Sequence, residues 1–263
     1  MQNGGLRTRG ITKTSTPEHP LITVVTVVFN GEATLEQTIQ SVVNQTYGNV
    51  EYIVVDGNST DKTLEIIKKY EDKIDYWQSE PDKGIYDAMN KGIELANGDY
   101  LLILGADDVL YDENVFKLFL EKLNGLNLKL SFYGDVIMRS DGKRYFGKVN
   151  KVQMAIRNIC QQSIFYSKDC YKKQKFNTAY KINSDFEYNL KIFNEFRHID
   201  LIVSIYNNIT GVSSSATKDK PFLKKQYFLF TKYLGLHVTI RLLIYKIRRK
   251  LNIFDKYSLQ IDK

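Results

Sequence analysis

The chain has 263 residues, of which 43% are apolar, with 18 Tyr, 14 Phe and 4 Pro. That is enough to build a buried core, and it excludes a long Pro-rich linker or a low-complexity chain. The formal charge of +7 is unevenly placed: residues 1–216 carry 25 Lys and Arg against 27 Asp and Glu, whereas residues 217–263 carry 12 against 3. A chain-wide basic surface of the kind that wraps nucleic acid is therefore excluded, and a basic C-terminal segment that meets an anionic surface is expected.

The first twenty residues are polar, with Gly4, Gly5 and Gly10 and no apolar run like that of a secretory signal; they read as a disordered lead-in. Leu21–Phe29 is a continuous β-branched run, the pattern of a strand buried on both faces of a parallel sheet. A helix over Thr34–Gln45 follows, then a strand over Glu51–Val55. Ser59, Thr60 and Asp61 supply N-cap chemistry for a helix carrying Leu64 and Ile67. A strand over Ile74–Gln78, a helix over Ile85–Ala96 closed by Asn97-Gly98, and a strand over Tyr100–Leu104 complete four strand–helix alternations, which imply βαβ units and a parallel sheet. Beyond residue 113 the pattern loosens. Val115–Leu123 reads as a helix. Ser131–Arg139 and Tyr145–Val149 read as an antiparallel extension turning at Ser140-Asp141-Gly142. Phe186–Phe196 reads as a helix, His198–Tyr206 as a strand and Thr210–Lys220 as a loop. No apolar run approaches the ~20 residues of a membrane-spanning helix.

In open parallel sheets, ligands bind beyond the carboxyl ends of the strands. The first four strands end in Asn30-Gly31, Asp56-Gly57-Asn58, Glu80-Pro81-Asp82-Lys83-Gly84 and Gly105-Ala106-Asp107-Asp108. Any one of these is ordinary turn chemistry; four on one rim point to a site. Adjacent carboxylates at Asp107 and Asp108 repel each other unless a cation joins them, and hard oxygen ligands suit Mg²⁺ or Mn²⁺. The absence of any GxG spacing excludes a dinucleotide fingerprint. His19, His198 and His237 are too scattered for a histidine triad or zinc site. Cys160 and Cys170 form no CxxC pair and read as reduced thiols.

The segments VVTVVFNGEATLEQTIQSVVNQTY, VVDGNSTDKT, SEPDKGIYDAMNKGIELANGDYLLILGADD and INSDFEY together resemble family 2 glycosyltransferases of the GT-A fold, most of all the bacterial members that build surface polysaccharides. The resemblance is close over residues 21 to about 110 and looser to about 215. It implies a Rossmann-like α/β sheet, mostly parallel and flanked by helices. It divides the domain, 21–215, into a nucleotide-sugar half (21–113) and an acceptor half (114–215), with a helical appendage over 216–263. By resemblance, Phe29 and Asn30 border the nucleobase, Asp56 accepts a hydrogen bond from a uracil, and Lys83 contacts the sugar nucleotide. Asp107 and Asp108 hold Mg²⁺ or Mn²⁺, with Gly105 in place of the first acidic residue of the fullest motif; which of the two touches the metal is left open. Asp185 matches the catalytic base, with an N-cap as its structural alternative and Glu187 as the fallback base. Gln161-Gln162-Ser163 falls where relatives often carry a His-Gln pair.

The implied activity is inverting transfer of a hexosyl or N-acetylhexosaminyl group from a nucleotide-sugar to a glycan or polyprenyl-diphosphate-linked acceptor, in the cytoplasm or peripherally on the inner face of the cell membrane. A nucleotidyltransferase is the enzymatic alternative, disfavoured because Asn30-Gly31-Glu32-Ala33 is not a basic phosphate loop. A non-catalytic sugar-nucleotide-binding subunit is the other. A helical wheel over Tyr233–Phe254 aligns Tyr233, Leu236, Ile240, Leu243, Ile244, Ile247, Leu251 and Phe254 on one stripe, with Arg241, Lys246, Arg248, Arg249 and Lys250 off it. Such a helix either lies on an anionic membrane or packs its stripe on protein.

Overall fold

The computed structural model describes residues 1–145, 147–209 and 219–250, without the side chains of Arg249 and Lys250. Among the described residues one ten-stranded sheet organises the chain. Its centre is the alternation read from the sequence: β2 (Ile22–Val28), β3 (Val50–Asp56), β4 (Tyr76–Ser79) and β5 (Tyr100–Gly105) pair in parallel in the order β4-β3-β2-β5. The helices between them are α1 (Leu35–Val43), α2 (Thr63–Lys69) and α3 (Ile85–Leu95). Every residue of β2 and β3 is buried, as expected for strands covered on both faces. Alternate residues serve opposite layers. Val25 and Val27 pack on the α3 side, whereas Ile22, Val24 and Val28 pack on the α1 and α2 side.

The second half of the sheet is built differently. β9 (Ile164–Ser167) lies antiparallel between β5 and β7 (Ser131–Met138), and β10 (Phe196–Tyr206) pairs parallel with β7. β7 and β10 therefore run in the direction of the four parallel strands, and only β9 in this central row is reversed. Three short antiparallel strands finish the sheet: β1 (Gln2–Gly4) on β4, β6 (Val109–Leu110) on β10, and β8 (Arg144–Tyr145) on β7. The strand expected over Tyr145–Val149 is thus reduced to Arg144–Tyr145. Asp135 takes the Gly147 N–H instead, and residue 146 lies outside the described residues. α4 (Val115–Lys122) joins the α1 and α2 layer; α5 (Lys151–Ile156) and α7 (Ser184–Lys191) join α3 on the other face.

The expected disordered lead-in over 1–20 is corrected. β1 extends the sheet edge, a 3₁₀ turn covers Leu6–Arg9, and two basic residues reach buried carboxylates at the foot of the sheet. Arg7 pairs with Glu51, and Lys13 bonds to Asp75 at 2.9 Å. Glu51 and Asp75 are buried, so without these cations two charges would stand uncompensated in low dielectric. The order comes from long-range ion pairs, which a locally polar, Gly-rich sequence does not reveal.

The C-terminal appendage is also revised. The expected single helix over 233–254 is two, α8 (Lys220–Leu234) and α9 (Leu236–Lys250), broken at Gly235. Gly235 has φ +106°, a conformation that carries no cost only for glycine. Val238 and Leu242 of α9 are buried on the α5 side of the domain with Phe222, Leu229, Phe230 and Leu234 of α8, each such side chain contributing about 1.5–3 kcal/mol. The stripe read from the wheel is not the one that packs: Leu236, Ile240, Leu243, Ile244 and Ile247 face outward. Leu251 and Phe254, and most of the loop expected over Thr210–Lys220, lie outside the described residues.

Candidate active site

The direction of the strands decides what gathers at one edge. β2, β3 and β5 end there in Val28, Asp56 and Gly105, and β10 ends there in Tyr206 followed by Asn207. β9 runs the other way, so its beginning, preceded by Gln161 and Gln162, arrives at the same edge. A cavity of about 790 Å³ opens over this edge, lined by Phe29, Asn30, Asp107 and Asp108 from the first half and by Asn158, Gln162, Asp185 and Asn207 from the second. Its volume lies in the range of small-molecule sites.

On the first wall, two left-handed turns shape the rim. Asn30 (φ +51°) and Asn58 (φ +66°) adopt a conformation that Asn tolerates better than most residues. The loops after β2 and β3 clasp each other: Ser59 Oγ accepts from Asn30 N (2.7 Å), and Asn30 Oδ1 accepts from Thr60 N (2.9 Å). Phe29 is 64% exposed at the lip. Asp56 is fully buried and does not line the cavity. Its carboxylate accepts from the Ser59 hydroxyl and from Ser79 Oγ at 2.6 Å, so in this arrangement it braces the loop that carries Ser59. Lys83 is exposed between two lining residues, Asp82 and Gly84, and its own side chain does not line the cavity. The cap expected at Ser59-Thr60-Asp61 falls one residue later, on Lys62, which makes no side-chain cap bond, and Asp61 Oδ1 accepts from Thr63 N at 2.9 Å.

At the end of β5 the two adjacent carboxylates bend back over Gly105. A Cβ placed there would lie 2.8 Å from Asp108 Oδ2 and 3.0 Å from Asp107 Oδ1, so a side chain at 105 would displace one of these carboxylates from its present position. Asp108 is buried and both its oxygens are committed: Oδ1 accepts from Asn207 N (2.7 Å) and Oδ2 from Gln162 Nε2 (2.9 Å). Asp107 is half-buried and receives Asn207 Nδ2 on Oδ2 at 3.2 Å. Burial pushes the Asp108 carboxyl up to about 7, with the neighbouring Asp107 charge adding to the shift, against the donors from Asn207 and Gln162. Burial also raises Asp107. Two crowded, desolvated carboxylates on a cavity wall form a site that a divalent cation would relieve. No group of three or more His, Cys, Asp or Glu suited to a metal occurs among the described residues. The residues fit an ion of the Mg²⁺ or Mn²⁺ type that takes one or two carboxylates and completes its shell from a bound phosphate.

The same cavity is lined by Asp185 from the first turn of α7. It is not the helix cap, a position that Asn183 holds. Each of its oxygens receives one donor: Tyr86 OH to Oδ1 at 2.8 Å and Asn158 Nδ2 to Oδ2 at 2.5 Å. Asn158 is held in turn by Asn189 Nδ2 (2.9 Å), and Asn189 Oδ1 accepts from Tyr166 OH (2.8 Å). Burial pushes the Asp185 carboxyl up to about 6, while the Tyr86 hydroxyl, backbone N–H groups and Asn158 limit the rise. A carboxylate poised near neutral pH in a cavity suits a general base. Glu187, the fallback, does not line the cavity. Its burial is outweighed by Lys191, which pairs with it at 2.9 Å and holds its carboxyl below the ordinary value.

The cavity thus gathers Phe29, Asn30, Asp107, Asp108 and Asp185, and leaves Asp56, Lys83 and Glu187 outside its lining. Sequence reasoning did not find Tyr86, Asn158 or Asn207. Asn207 had a signal: it follows a strand, as Asn30 does. Gln161-Gln162 was singled out, and Gln162 is the member that meets the acidic pair; Gln161 Nε2 lies 3.9 Å from Met89 Sδ.

Residues 23–197 match the family model for Glycosyl transferase family 2. The chain is 33% identical over 239 residues to a PGL/p-HBAD biosynthesis glycosyltransferase of Mycobacterium bovis, covering 88% of this chain and 91% of that one. Among solved structures it resembles S. aureus TarS 1-349 in complex with UDP-GlcNAc, with a TM-score of 0.69 at 16% identity over 92% of this chain and 76% of that one. It also resembles the mannosyltransferase PcManGT from Pyrobaculum calidifontis in complex with GDP-Man and Mn2+, with a TM-score of 0.59 at 14% identity over 97% and 88%. The mixed α/β sheet flanked by helices is the GT-A architecture of these neighbours, and the chain belongs to glycosyl transferase family 2.

Proposed function

We propose that this glycosyltransferase moves a hexosyl or N-acetylhexosaminyl group, with inversion, from a UDP-sugar to a hydroxyl of a glycan or polyprenyl-diphosphate-linked acceptor in surface-polysaccharide assembly. The observation that carries the reading is that the Asp107–Asp108 pair and Asp185 line one cavity. The UDP-GlcNAc complex of TarS and the GDP-Man and Mn2+ complex of PcManGT support a nucleotide-sugar donor and a divalent metal.

In this reading the acceptor hydroxyl attacks the anomeric carbon, the bond to the diphosphate oxygen breaks, and its electron pair leaves with the nucleoside diphosphate. Asp185 takes the hydroxyl proton, held for the task by Tyr86 and Asn158. Mg²⁺ or Mn²⁺, when bound, supplies positive charge beside the departing diphosphate. Asp107 is its favoured direct ligand, because both oxygens of Asp108 already hold the Gln162 and Asn207 donors. Phe29 and Asn30 border the nucleobase. Asp56 accepts from the uracil only if the Ser59 loop shifts, and Lys83 reaches the donor from the lip. No protein nucleophile is needed. The test is nucleoside-diphosphate release from a panel of UDP-, GDP- and dTDP-sugars with Mg²⁺ or Mn²⁺. Metal-dependent UDP release supports the reading, and turnover of none of the UDP-sugars contradicts it.

A further inference from the structure

We propose that the outer face of α9, with the neighbouring turn of α8, docks on an anionic lipid bilayer. Five large aliphatic side chains, Leu236, Ile240, Leu243, Ile244 and Ile247, recur at helical spacing and are between 41% and 62% exposed. They form one continuous stripe, whereas isolated exposed apolar residues would need no explanation. Arg241 and Arg248, one flank of the stripe by helical phase, are both exposed. On α8, Phe228 is 66% exposed and sits by helical spacing among Lys224, Lys225 and Lys232. An aromatic ring inside a ring of lysines repeats the chemistry of the α9 stripe and is that of an interfacial anchor.

Three observations select a bilayer over other occupants. The catalytic domain already covers the opposite face of α9 through Val238 and Leu242, so this stripe is not a misplaced part of the core. Residues 220–250 contain nine Lys and Arg and no Asp or Glu, so self-pairing through this face would bring like charges together. The apolar centre of the stripe separates it from a nucleic-acid surface, whose core is polar and cationic. No described helix is long and apolar enough to cross a membrane, so the contact lies in the interface plane.

The placement also fits the site. α9 and α8 pack on α5, the helix that leads directly into Arg157 and Asn158, and α8 packs on α7, which carries Asp185. Docking would set the base-bearing wall of the cavity at a fixed position over the membrane, where a lipid-linked acceptor resides. That last step rests on the acceptor proposed above; the docking itself does not.

The test uses the full chain with sedimenting vesicles of phosphatidylcholine alone or mixed with phosphatidylglycerol, at low and high salt, with no donor or acceptor present. The chain is expected to partition onto the anionic vesicles and to release at high salt. The double variant Ile240→Glu with Ile244→Glu should lose at least about tenfold in partitioning. Arg241→Gln with Arg248→Gln should lose about fivefold per charge at low salt. All four side chains are exposed, so folding is expected to be retained, checked by UDP affinity and melting temperature. Phe228→Trp adds an independent readout, with a blue-shifted emission expected on anionic vesicles only. Binding to neither vesicle, binding unchanged by the isoleucine pair, or a dimer of the full chain that this pair dissolves would each overturn the proposal. UDP affinity retained in the same samples would show that the transferase reading survives such a failure.

Discussion

Tyr86→Phe isolates one hydrogen bond on the proposed base. The Tyr86 ring is buried and stacks on Phe176 at 5.5 Å, so the phenyl ring keeps its packing and only the hydroxyl on Asp185 Oδ1 is lost. A hydrogen bond to a charged group contributes about 1.5–3 kcal/mol. At about 1.4 kcal/mol per pKa unit, its loss raises the Asp185 carboxyl by about one to two units. The sign follows from which form the hydroxyl stabilises: it donates to the ionised carboxylate, so removing it favours the protonated form. From about 6 in the wild type, the acidic limb of kcat/KM should move to between about 7 and 8. Wild-type Asp185 is about nine-tenths ionised at pH 7 and the variant about one-tenth to one-half, so activity there falls about two- to tenfold and recovers by about pH 9. The assay is initial-rate nucleoside-diphosphate release across pH. An acidic limb that stays in place, or a loss that persists unchanged at about pH 9, would refute the role of Tyr86 in setting the base.

Asn158→Ala should cost more than Tyr86→Phe, because it frees Asp185 Oδ2 and also leaves Asn189 Nδ2 without its acceptor. Rates should fall about tenfold further with donor affinity unchanged, read as kcat against KM. Asp108 is raised to about 7, so the folded state binds its proton more tightly than the unfolded state does, and its ionisation lowers stability as pH rises from about 4 to about 7. Thermal stabilisation by Mn²⁺ with UDP should therefore grow over that interval, and Asp107→Asn should remove most of it, as melting curves would show. Arg7→Ala leaves Glu51 buried without its cation, at a cost of about 3–5 kcal/mol. Denaturant unfolding should register that loss, whereas an unchanged midpoint would return residues 1–20 to a passive lead-in.

The first half of the chain was legible because its signals are local. Buried β-branched runs mark β2, β3 and β5, and each carboxyl end carries its own polar turn. The second half depends on pairings between distant residues. Tyr86 and Asp185 are 99 residues apart, and neither sequence neighbourhood points to the other. Gln162 meets Asp108 because β9 is reversed, which brings the start of that strand to the edge where the others finish. The order of residues 1–20 is hidden from the sequence for a related reason: it involves Arg7 and Lys13 reaching Glu51 and Asp75. In the appendage, periodicity identified the apolar stripe of α9. It did not reveal that a narrower second face, Val238 and Leu242, is the one that packs, nor that Gly235 breaks the helix between Tyr233 and the rest of the stripe.

The central claim is that Asp185 removes the acceptor proton in a transfer from a nucleotide-sugar. Its most direct test is the transfer rate of Asp185→Asn measured beside its UDP affinity in the same preparation. Loss of transfer by about 10²–10⁴-fold with UDP affinity near the wild-type value is the predicted result. Transfer that survives the substitution, with UDP still bound, would contradict it.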